Sequence, residues 1–137
     1  KGGGAWLNGR PLQVTATADV KRALLATGFA YAEERMKLNI EVFARVLPRV
    51  RSVRRPGSAA LDLCYVASGR VDGFWELGLN PWDVAAGLLV VREAGGTVTG
   101  DGGAPYRLDH RVLVASNGHL HGALLDLLQL DTVLARV

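Results

Sequence analysis

Apolar residues along the chain fall into short runs with strand-like spacing, which alternate with longer stretches of helical spacing. Residues 2–14 are predicted to form a β-hairpin, because Asn8-Gly9 is a favoured two-residue turn between short arms of alternating apolar positions. Residues 32–47 place apolar side chains on one helical face and charges on the other, and Pro48 ends this predicted helix. Further strands are predicted at 22–27, 51–54, 71–76, 97–99 and 111–116, and further helices at 59–68 and 119–130. Strands that alternate with helices predict an α/β layered domain.

One more predicted helix, which follows Asn80, is the most informative stretch of the chain. Asn80 suits a helix N-cap, and Pro81 suits the first helical position, where a missing N–H is tolerated. Residues 84–91 are apolar on every face, which predicts a buried helix, and Gly95-Gly96 supplies its end. The first turn nevertheless carries a carboxylate, Asp83. Carboxylates are costly to bury unless they are paired, hydrogen-bonded or bound to a metal.

Composition bounds the class of protein. The chain has 137 residues, 49% of them hydrophobic and 21% charged, which is typical of one globular domain with its own core. The formal net charge is +3, aromatic residues make up only 7%, and no basic stripe is interleaved with them. Nucleic-acid binding is therefore not favoured.

Three features bear on the cellular setting. The single cysteine, Cys64, has no internal disulfide partner and fits a reducing compartment, so a cytoplasmic location is predicted. No segment approaches the roughly 18 apolar residues that span a bilayer, so no membrane partner is expected. The start at Lys1 has neither a Met nor an apolar signal segment, and we expect the chain to continue upstream in its gene.

Asp83 and Glu76 are the first candidates for chemistry, and each has two interpretations. As the third helical residue, Asp83 either caps the helix by accepting the N–H of Asn80 or ligates a hard cation such as Mg²⁺. Glu76 ends a predicted strand, where it is either an exposed charge or a hydrogen-bond acceptor for a polyol hydroxyl. Ligands of open α/β folds collect where strands end and helices begin, which is where both residues are predicted to lie.

Other polar residues also have alternative roles. Gly57, Ser58 and Ala59 open a predicted helix and form either an anion cradle or an ordinary serine cap. A set of arginines forms either a solvated face or a cluster that steers an anionic substrate: Arg49, Arg51, Arg54 and Arg55. The three histidines lack the partner spacing of a zinc site and are interpreted as surface residues. No serine lies in a Gly-x-Ser-x-Gly context, so a serine hydrolase is not expected.

Four linked segments resemble the C-terminal half of the inositol monophosphatase family. The most specific segment is Asn-Pro-Trp-Asp-Val-Ala-Ala-Gly at 80–87, continued by Glu-Ala-Gly-Gly at 93–96. Gly-Ala-Trp-Leu-Asn-Gly at 4–9, Gly-Ser-Ala-Ala at 57–60 and Gly-Phe-Trp-Glu-Leu-Gly at 73–78 stand in the family's order and spacing. The resemblance covers essentially the whole chain.

The resemblance implies an α/β fold made of the C-terminal αβ layers of the αβαβα sandwich shared by inositol monophosphatase and fructose-1,6-bisphosphatase. It also implies a Mg²⁺-dependent phosphomonoesterase that hydrolyses inositol 1-phosphate to inositol and phosphate. Asp83 matches a ligand of the second catalytic Mg²⁺, and Glu76 matches the residue that binds a substrate ring hydroxyl. Gly57, Ser58 and Ala59 match backbone that lines the phosphate and inositol site.

One departure from the family pattern limits this prediction. No Asp-x-x-Asp-Gly-Thr motif, which supplies most of the family's metal ligands, occurs in the sequence. We therefore expect residues 1–137 to be a single C-terminal half-domain that lacks the N-terminal metal-binding half and is inactive or nearly so alone. The N-terminal half of the same enzyme is its expected partner, the complete enzyme is expected to be a homodimer, and a solitary half is expected to expose apolar faces that promote association.

Two alternatives remain open. The substrate is either inositol 1-phosphate, which the match at Glu76 favours, or another phosphate ester such as histidinol phosphate, fructose 1,6-bisphosphate or a 3′-phosphonucleotide. The second alternative is that the half-domain is a non-catalytic interaction module, since some bacterial family members associate with transcription or ribosome-assembly machinery. Association with RNA polymerase or nucleic acid is the less favoured of these interpretations.

Overall fold

The computed structural model describes residues 1–130, 132 and 135, with the backbone only at residue 101. Within these residues the strands are β1 (Trp6–Leu7), β2 (Arg10–Pro11), β3 (Leu24–Thr27), β4 (Ser52–Arg54), β5 (Gly73–Leu77), β6 (Thr97–Thr99) and β7 (Val112–Ser116). The helices are α1 (Glu33–Val46), α2 (Ala59–Ala67), α3 (Pro81–Glu93) and α4 (His121–Leu128). Short 3₁₀ turns occupy Val20–Arg22, Leu47–Arg49 and Asp101–Gly103.

Five of the strands form one mixed sheet in the order β4-β3-β5-β7-β6. Strands β4, β3 and β5 are parallel, whereas β7 runs antiparallel to both β5 and β6. The connections β3-α1-β4 and β4-α2-β5 are crossovers that carry helices over the sheet. The carboxyl ends of the three parallel strands therefore lie at one edge of the sheet and their amino ends at the opposite edge.

Helices cover both faces of this sheet. Helices α2 and α3 pack on one face over a core that includes Leu63, Phe74 and Val91. Helices α1 and α4 lie on the other face, over a core that includes Val42 and Trp75. Phe74 and Trp75 are neighbours in β5 and point into different cores, as successive strand residues must. The predicted α/β layered class is confirmed.

Local turn and cap predictions are also confirmed. Asn8 and Gly9 both have positive φ angles, 51° and 76°, as a primed hairpin turn between β1 and β2 requires. Ser58 caps α2, since its hydroxyl accepts the Leu61 N–H at 3.4 Å. The family segment at 93–96 includes Glu93, whose carboxylate accepts N–H groups of the N-terminal glycines at 2.8 and 2.9 Å and so fastens that segment to α3.

The prediction that the helix after Asn80 is buried all round is wrong. Val84, Leu88 and Val91 face the core, but Trp82 is 80% exposed and Leu89 is 40% exposed on the opposite side of α3. Only one side of the helix contacts the sheet and α2, and none of the described residues covers the other. The expected exposure of apolar surface is confirmed at this face, which we call the open face of α3.

Two smaller differences concern element ends. The strand predicted at 22–27 begins at Leu24, because Asp19 caps a 3₁₀ turn by accepting the Lys21 N–H at 2.9 Å. The terminal helix ends as α4 at Leu128, where Gln129 adopts a left-handed conformation. Among the described residues, no helix is long and apolar enough to cross a membrane.

Candidate active site

Polar side chains gather at the carboxyl edge of the parallel strands, where α2 and α3 also begin. Gly28 directly follows β3, Arg55 directly follows β4, and Glu76 is the penultimate residue of β5. Asp62 lies in the first turns of α2, and Asp83 lies in the first turn of α3. Parallel strands and the helices that follow them bring these segments together, although they are up to 55 positions apart in sequence.

The carboxylate of Glu76 lies beside the backbone of Gly28. A methyl group added at Gly28 would lie 2.1 to 2.3 Å from the carboxylate atoms of Glu76. Any residue other than glycine at this position would therefore displace the carboxylate. The side chain is partly buried, not a freely exposed strand-end charge. The prediction placed Gly28 only as the end of a strand, and its role in making room for Glu76 depends on a contact across two strands.

The electrostatic surroundings of Glu76 favour its protonated form. Burial raises its pKa from 4.5 to about 7, and the neighbouring carboxylate of Asp62 is the second cause of that rise. Arg55 lowers the pKa of Glu76, and Asp83 raises it by a smaller amount. A carboxyl group with a pKa near 7 is present in both protonation states at neutral pH, so it can donate to or accept from a bound hydroxyl.

Asp62 is the site residue that the sequence prediction missed. Its side chain is 1% exposed, and neither carboxylate oxygen has a hydrogen-bond partner among the described residues. Burial raises its pKa to about 6, against the opposing charge of Arg55. The sequence did contain a signal, because Asp62 is a charged residue within the otherwise apolar run of α2. A carboxylate in such a run is costly to bury, which marks it as a candidate site residue.

Asp83 performs the capping role that was one of its two interpretations. Its Oδ2 accepts the Asn80 N–H at 3.0 Å in a capping box at the start of α3. Its Oδ1 has no hydrogen-bond partner among the described residues and is left to accept a ligand. A single carboxylate oxygen suits Mg²⁺ but does not hold it alone. Throughout the part of the chain that the structure describes, no group of three or more His, Cys, Asp or Glu residues is arranged to hold a metal ion.

The start of α2 presents backbone donors at the same edge. Gly57 has a φ angle of +99°, a conformation that favours glycine, and it turns the chain into the helix. The Ser58 hydroxyl accepts only the Leu61 N–H, so the N–H groups of Ala59 and Ala60 have no partner among the described residues. Free amides and the helix dipole together suit an anion. Both interpretations of this segment, cap and anion cradle, are thus compatible with the geometry.

The four arginines that were interpreted as either a solvated face or a steering cluster are divided between different places. Arg55 lies at the carboxyl edge, where its charge acts on Glu76 and Asp62. Arg54 donates to the Val53 carbonyl at 3.1 Å, and Arg49 donates to that of Arg45 at 2.7 Å. Arg51 precedes β4 and lies at the opposite edge of the sheet. Only Arg55 belongs to the candidate active site.

One of the three histidines predicted to lie on the surface is buried. His121 is 7% exposed, and its ring nitrogens bond the hydroxyls of Ser116 at 2.7 Å and Thr99 at 3.0 Å. Burial lowers its pKa, so the neutral ring is favoured. These bonds join α4 to strands β6 and β7. They give His121 a structural role, and no catalytic role is needed to explain its burial.

Comparisons with known proteins agree with this architecture. The chain is 49% identical over 121 residues to the inositol-1-monophosphatase of Synechocystis, which covers 86% of this chain and 42% of that protein. It is 42% identical over 132 residues to the Nus factor SuhB of Pseudomonas aeruginosa, which covers 94% of this chain and 49% of that protein. The chain thus spans less than half the length of these curated relatives.

A solved structure gives the same result. The inositol monophosphatase from Anabaena (Nostoc) superimposes with a TM-score of 0.88 at 44% identity, over 94% of this chain and 53% of that chain. The mixed sheet with its four helices therefore matches part of the inositol monophosphatase fold, as the sequence predicted. The sequence model of the inositol monophosphatase family matches residues 1–131, and the chain belongs to that family.

Proposed function

We propose that this chain supplies the polyol-binding part of a Mg²⁺-dependent phosphomonoesterase site that hydrolyses inositol 1-phosphate. The observation that carries the proposal is the partly buried carboxyl group of Glu76, which lies beside Gly28 and whose pKa is raised to about 7. It lies at the edge where α2 presents free amides and α3 presents Asp83. The name of the Synechocystis relative, inositol-1-monophosphatase, supports the choice of substrate.

Each residue of the candidate site has a proposed role. Glu76 binds a ring hydroxyl of the polyol, as donor or acceptor according to its protonation state. The backbone at Gly57, Ser58 and Ala59 lines the phosphate and inositol site, and the unpartnered amides at the start of α2 suit the phosphate oxygens. Buried Asp62 contacts no substrate in this scheme. It acts as a positioning residue that keeps Glu76 partly protonated.

Asp83 would hold one Mg²⁺ through its free Oδ1, since its Oδ2 is already engaged with the Asn80 N–H. Mg²⁺ bound there would stabilise the negative charge that develops on the ester oxygen. The remaining ligands would come from residues outside this set, in keeping with the sequence prediction that the metal-binding half lies elsewhere in the enzyme. The part of the site that this chain supplies alone is therefore expected to release little or no phosphate.

The open face of α3 supports the proposed division into halves. Trp82 and Leu89 lie on this face and stay exposed, and exposed apolar area of this kind marks contact surfaces. We propose that residues 1–137 form a C-terminal half-domain whose open face is covered by the N-terminal half of the same enzyme. A homodimer and a cytoplasmic location remain our proposals for the complete protein, the latter because a lone cysteine fits a reducing compartment.

The test measures phosphate release by the full-length protein with inositol 1-phosphate, histidinol phosphate and fructose 1,6-bisphosphate, each with and without Mg²⁺. We expect inositol 1-phosphate to give the highest kcat/KM, and we expect Asp83→Asn to abolish Mg²⁺-dependent release. Glu33→Gln, a change of an exposed carboxylate on α1, is the matched control and should have no effect. Unchanged activity in Asp83→Asn would show that this residue is not a metal ligand.

Glu76→Ala provides a second arm of the same test. It should raise KM for inositol 1-phosphate about tenfold or more, because it leaves the bound hydroxyl without its hydrogen-bond partner. It should change KM little for p-nitrophenyl phosphate, which has no polyol ring. Equal effects on both substrates would contradict the assignment of Glu76 to the polyol.

A second candidate is a non-catalytic interaction role. This role is suggested by the name Nus factor SuhB, which a relative that is 42% identical carries. Binding of RNA polymerase or RNA by a full-length protein that releases no phosphate from any of the three esters would support this role over catalysis.

A further inference from the structure

A concave groove lies at the amino edge of the parallel strands, opposite the candidate active site. Leu24 at the start of β3 contributes to its lining, as do residues just before β4 and β5. Its volume is about 520 Å³, which is within the range of small-molecule sites. Four basic residues line it, and we call it the basic groove: Lys21, Arg22, Arg51 and Arg70.

The positive charge of the basic groove is not neutralised within the described residues. All four basic side chains are exposed, and none forms an ion pair with a described carboxylate. The one acidic residue in the lining is Asp72, and both of its oxygens are engaged. Oδ1 accepts the Thr15 hydroxyl at 2.6 Å, and Oδ2 accepts the Leu24 N–H at 2.7 Å. Four cations around one concavity attract anions and repel one another until an anion binds.

Hydrogen bonds order the backbone that carries these cations before any ligand arrives. Each of the four basic residues donates its own N–H at 2.9 to 3.1 Å, Arg51 to the Ala23 carbonyl of another segment and the other three to oxygens within five residues. The guanidinium of Arg70 also lies over the ring of Tyr65, with its central carbon 5.4 Å from the ring centroid. Little backbone entropy is therefore left to lose on binding.

The segment that forms one wall of the basic groove is fixed in the same way. The side-chain amide of Asn117 donates to the Thr15 hydroxyl at 2.9 Å and to the Thr17 carbonyl at 2.7 Å. The Thr17 hydroxyl has no partner among the described residues and is left as a further donor that faces the groove. The groove therefore presents charged and neutral donors, while its one carboxylate is already occupied.

We propose that the basic groove binds a small anion with two or more phosphate charges, at a site separate from the candidate active site. Lysine and arginine make charge-assisted hydrogen bonds to phosphate oxygens, and the four basic residues come from three different connections of the chain. A bound anion would cross-link the amino ends of β3, β4 and β5 and stabilise the fold. The proposal does not depend on the proposed phosphatase activity.

Inorganic pyrophosphate is the probe for the test. Its binding to the full-length protein is measured by calorimetry and thermal unfolding at low ionic strength, with EDTA and in an Asp83→Asn background so that metal-dependent binding at the active site is removed. The paired variant Lys21→Gln/Arg51→Gln should weaken binding about tenfold or more, because it removes two charge-assisted bonds. Lys37→Gln/Arg92→Gln removes the same charge from other surfaces and should leave affinity nearly unchanged.

The outcomes separate the basic groove from other anion sites. Thermal stabilisation by pyrophosphate that the groove variant loses and the control retains would support the proposal. Equal loss in both variants would mean general charge attraction, and loss on Arg55→Gln would place the anion in the candidate active site, so either result overturns the proposal. Binding of a short single-stranded RNA without binding of pyrophosphate would also overturn it. If the paired variant does not fold, Arg70→Gln alone provides the same comparison.

Discussion

Glu76→Gln is expected to stabilise the protein against unfolding at pH 8 and to do so by a smaller amount at pH 5. In the folded protein the pKa of Glu76 is raised from 4.5 to about 7, chiefly by burial and then by the charge of Asp62. The folded state therefore binds this proton more tightly than the unfolded state does. Its advantage is fully present below pH 4.5, is lost as the pH rises towards about 7, and is absent above that value.

The magnitude follows from the same two values. The gap between 4.5 and about 7 sets an upper bound of about 3.4 kcal/mol on the free energy of unfolding that ionised Glu76 forfeits at alkaline pH. Water screens a side chain that is only partly buried, so we expect glutamine to recover about 1–2 kcal/mol at pH 8. At pH 5 the folded carboxyl group is still largely protonated, whereas the unfolded one is largely ionised, so the gain should fall to about 0.8 kcal/mol or less.

The assay is urea unfolding of the full-length protein at pH 5 and pH 8 in EDTA, with Glu33→Gln as the control for an exposed carboxylate. Asp62→Asn is a further probe, because it removes the second cause of the raised pKa and should shift the pH dependence of the Glu76→Gln gain to lower pH. A stability gain from Glu76→Gln that is equal at both pH values would refute the reasoning, since a difference in proton binding cannot produce it.

Three glycine substitutions test packing near the site. Gly87→Ala should destabilise the protein by about 1–2 kcal/mol net in urea unfolding, because its Cβ would lie 2.6 Å from buried Leu63, and overpacking outweighs the helical preference for alanine. Gly122→Ala meets no atom within 4 Å, so it should not destabilise, and equal losses in both variants would contradict this account. Gly28→Ala should keep the fold but displace Glu76, which lowers kcat/KM for inositol 1-phosphate about tenfold or more, and a wild-type value would show that this contact is unimportant.

Local sequence signals predicted most of the fold because their physics is local. Ser58 and Asn80 each mark the start of a helix, because they accept backbone N–H groups that lie no more than three residues further along the chain. The structure begins α2 and α3 directly after these two residues. Asn8-Gly9 defines the hairpin through backbone conformation alone. The capping role of Asp83 was predicted for the same reason. None of these features requires knowledge of which segments pack together.

The features that the sequence did not predict depend on contacts between distant segments. Asp62 becomes a site residue only because α2 begins beside the end of β5, so that its charge acts on Glu76. His121 is buried because β6 and β7 place two hydroxyls next to its ring. The arginines at 49–55 are divided because a three-residue strand carries its two ends to opposite edges of the sheet. Spacing along the chain gives no access to any of these relations.

The open face of α3 and the candidate metal ligand are linked by their positions on one helix. Trp82 is adjacent to Asp83 and 80% exposed, so a polypeptide that covered the open face would lie close to Asp83. The same cover would remove water from Glu76, raise the cost of its negative charge further and strengthen its interactions with a bound polyol. If the proposed N-terminal half both covers the open face and completes the proposed metal site, the affinity for Mg²⁺ would report on whether the two proposed halves are in contact.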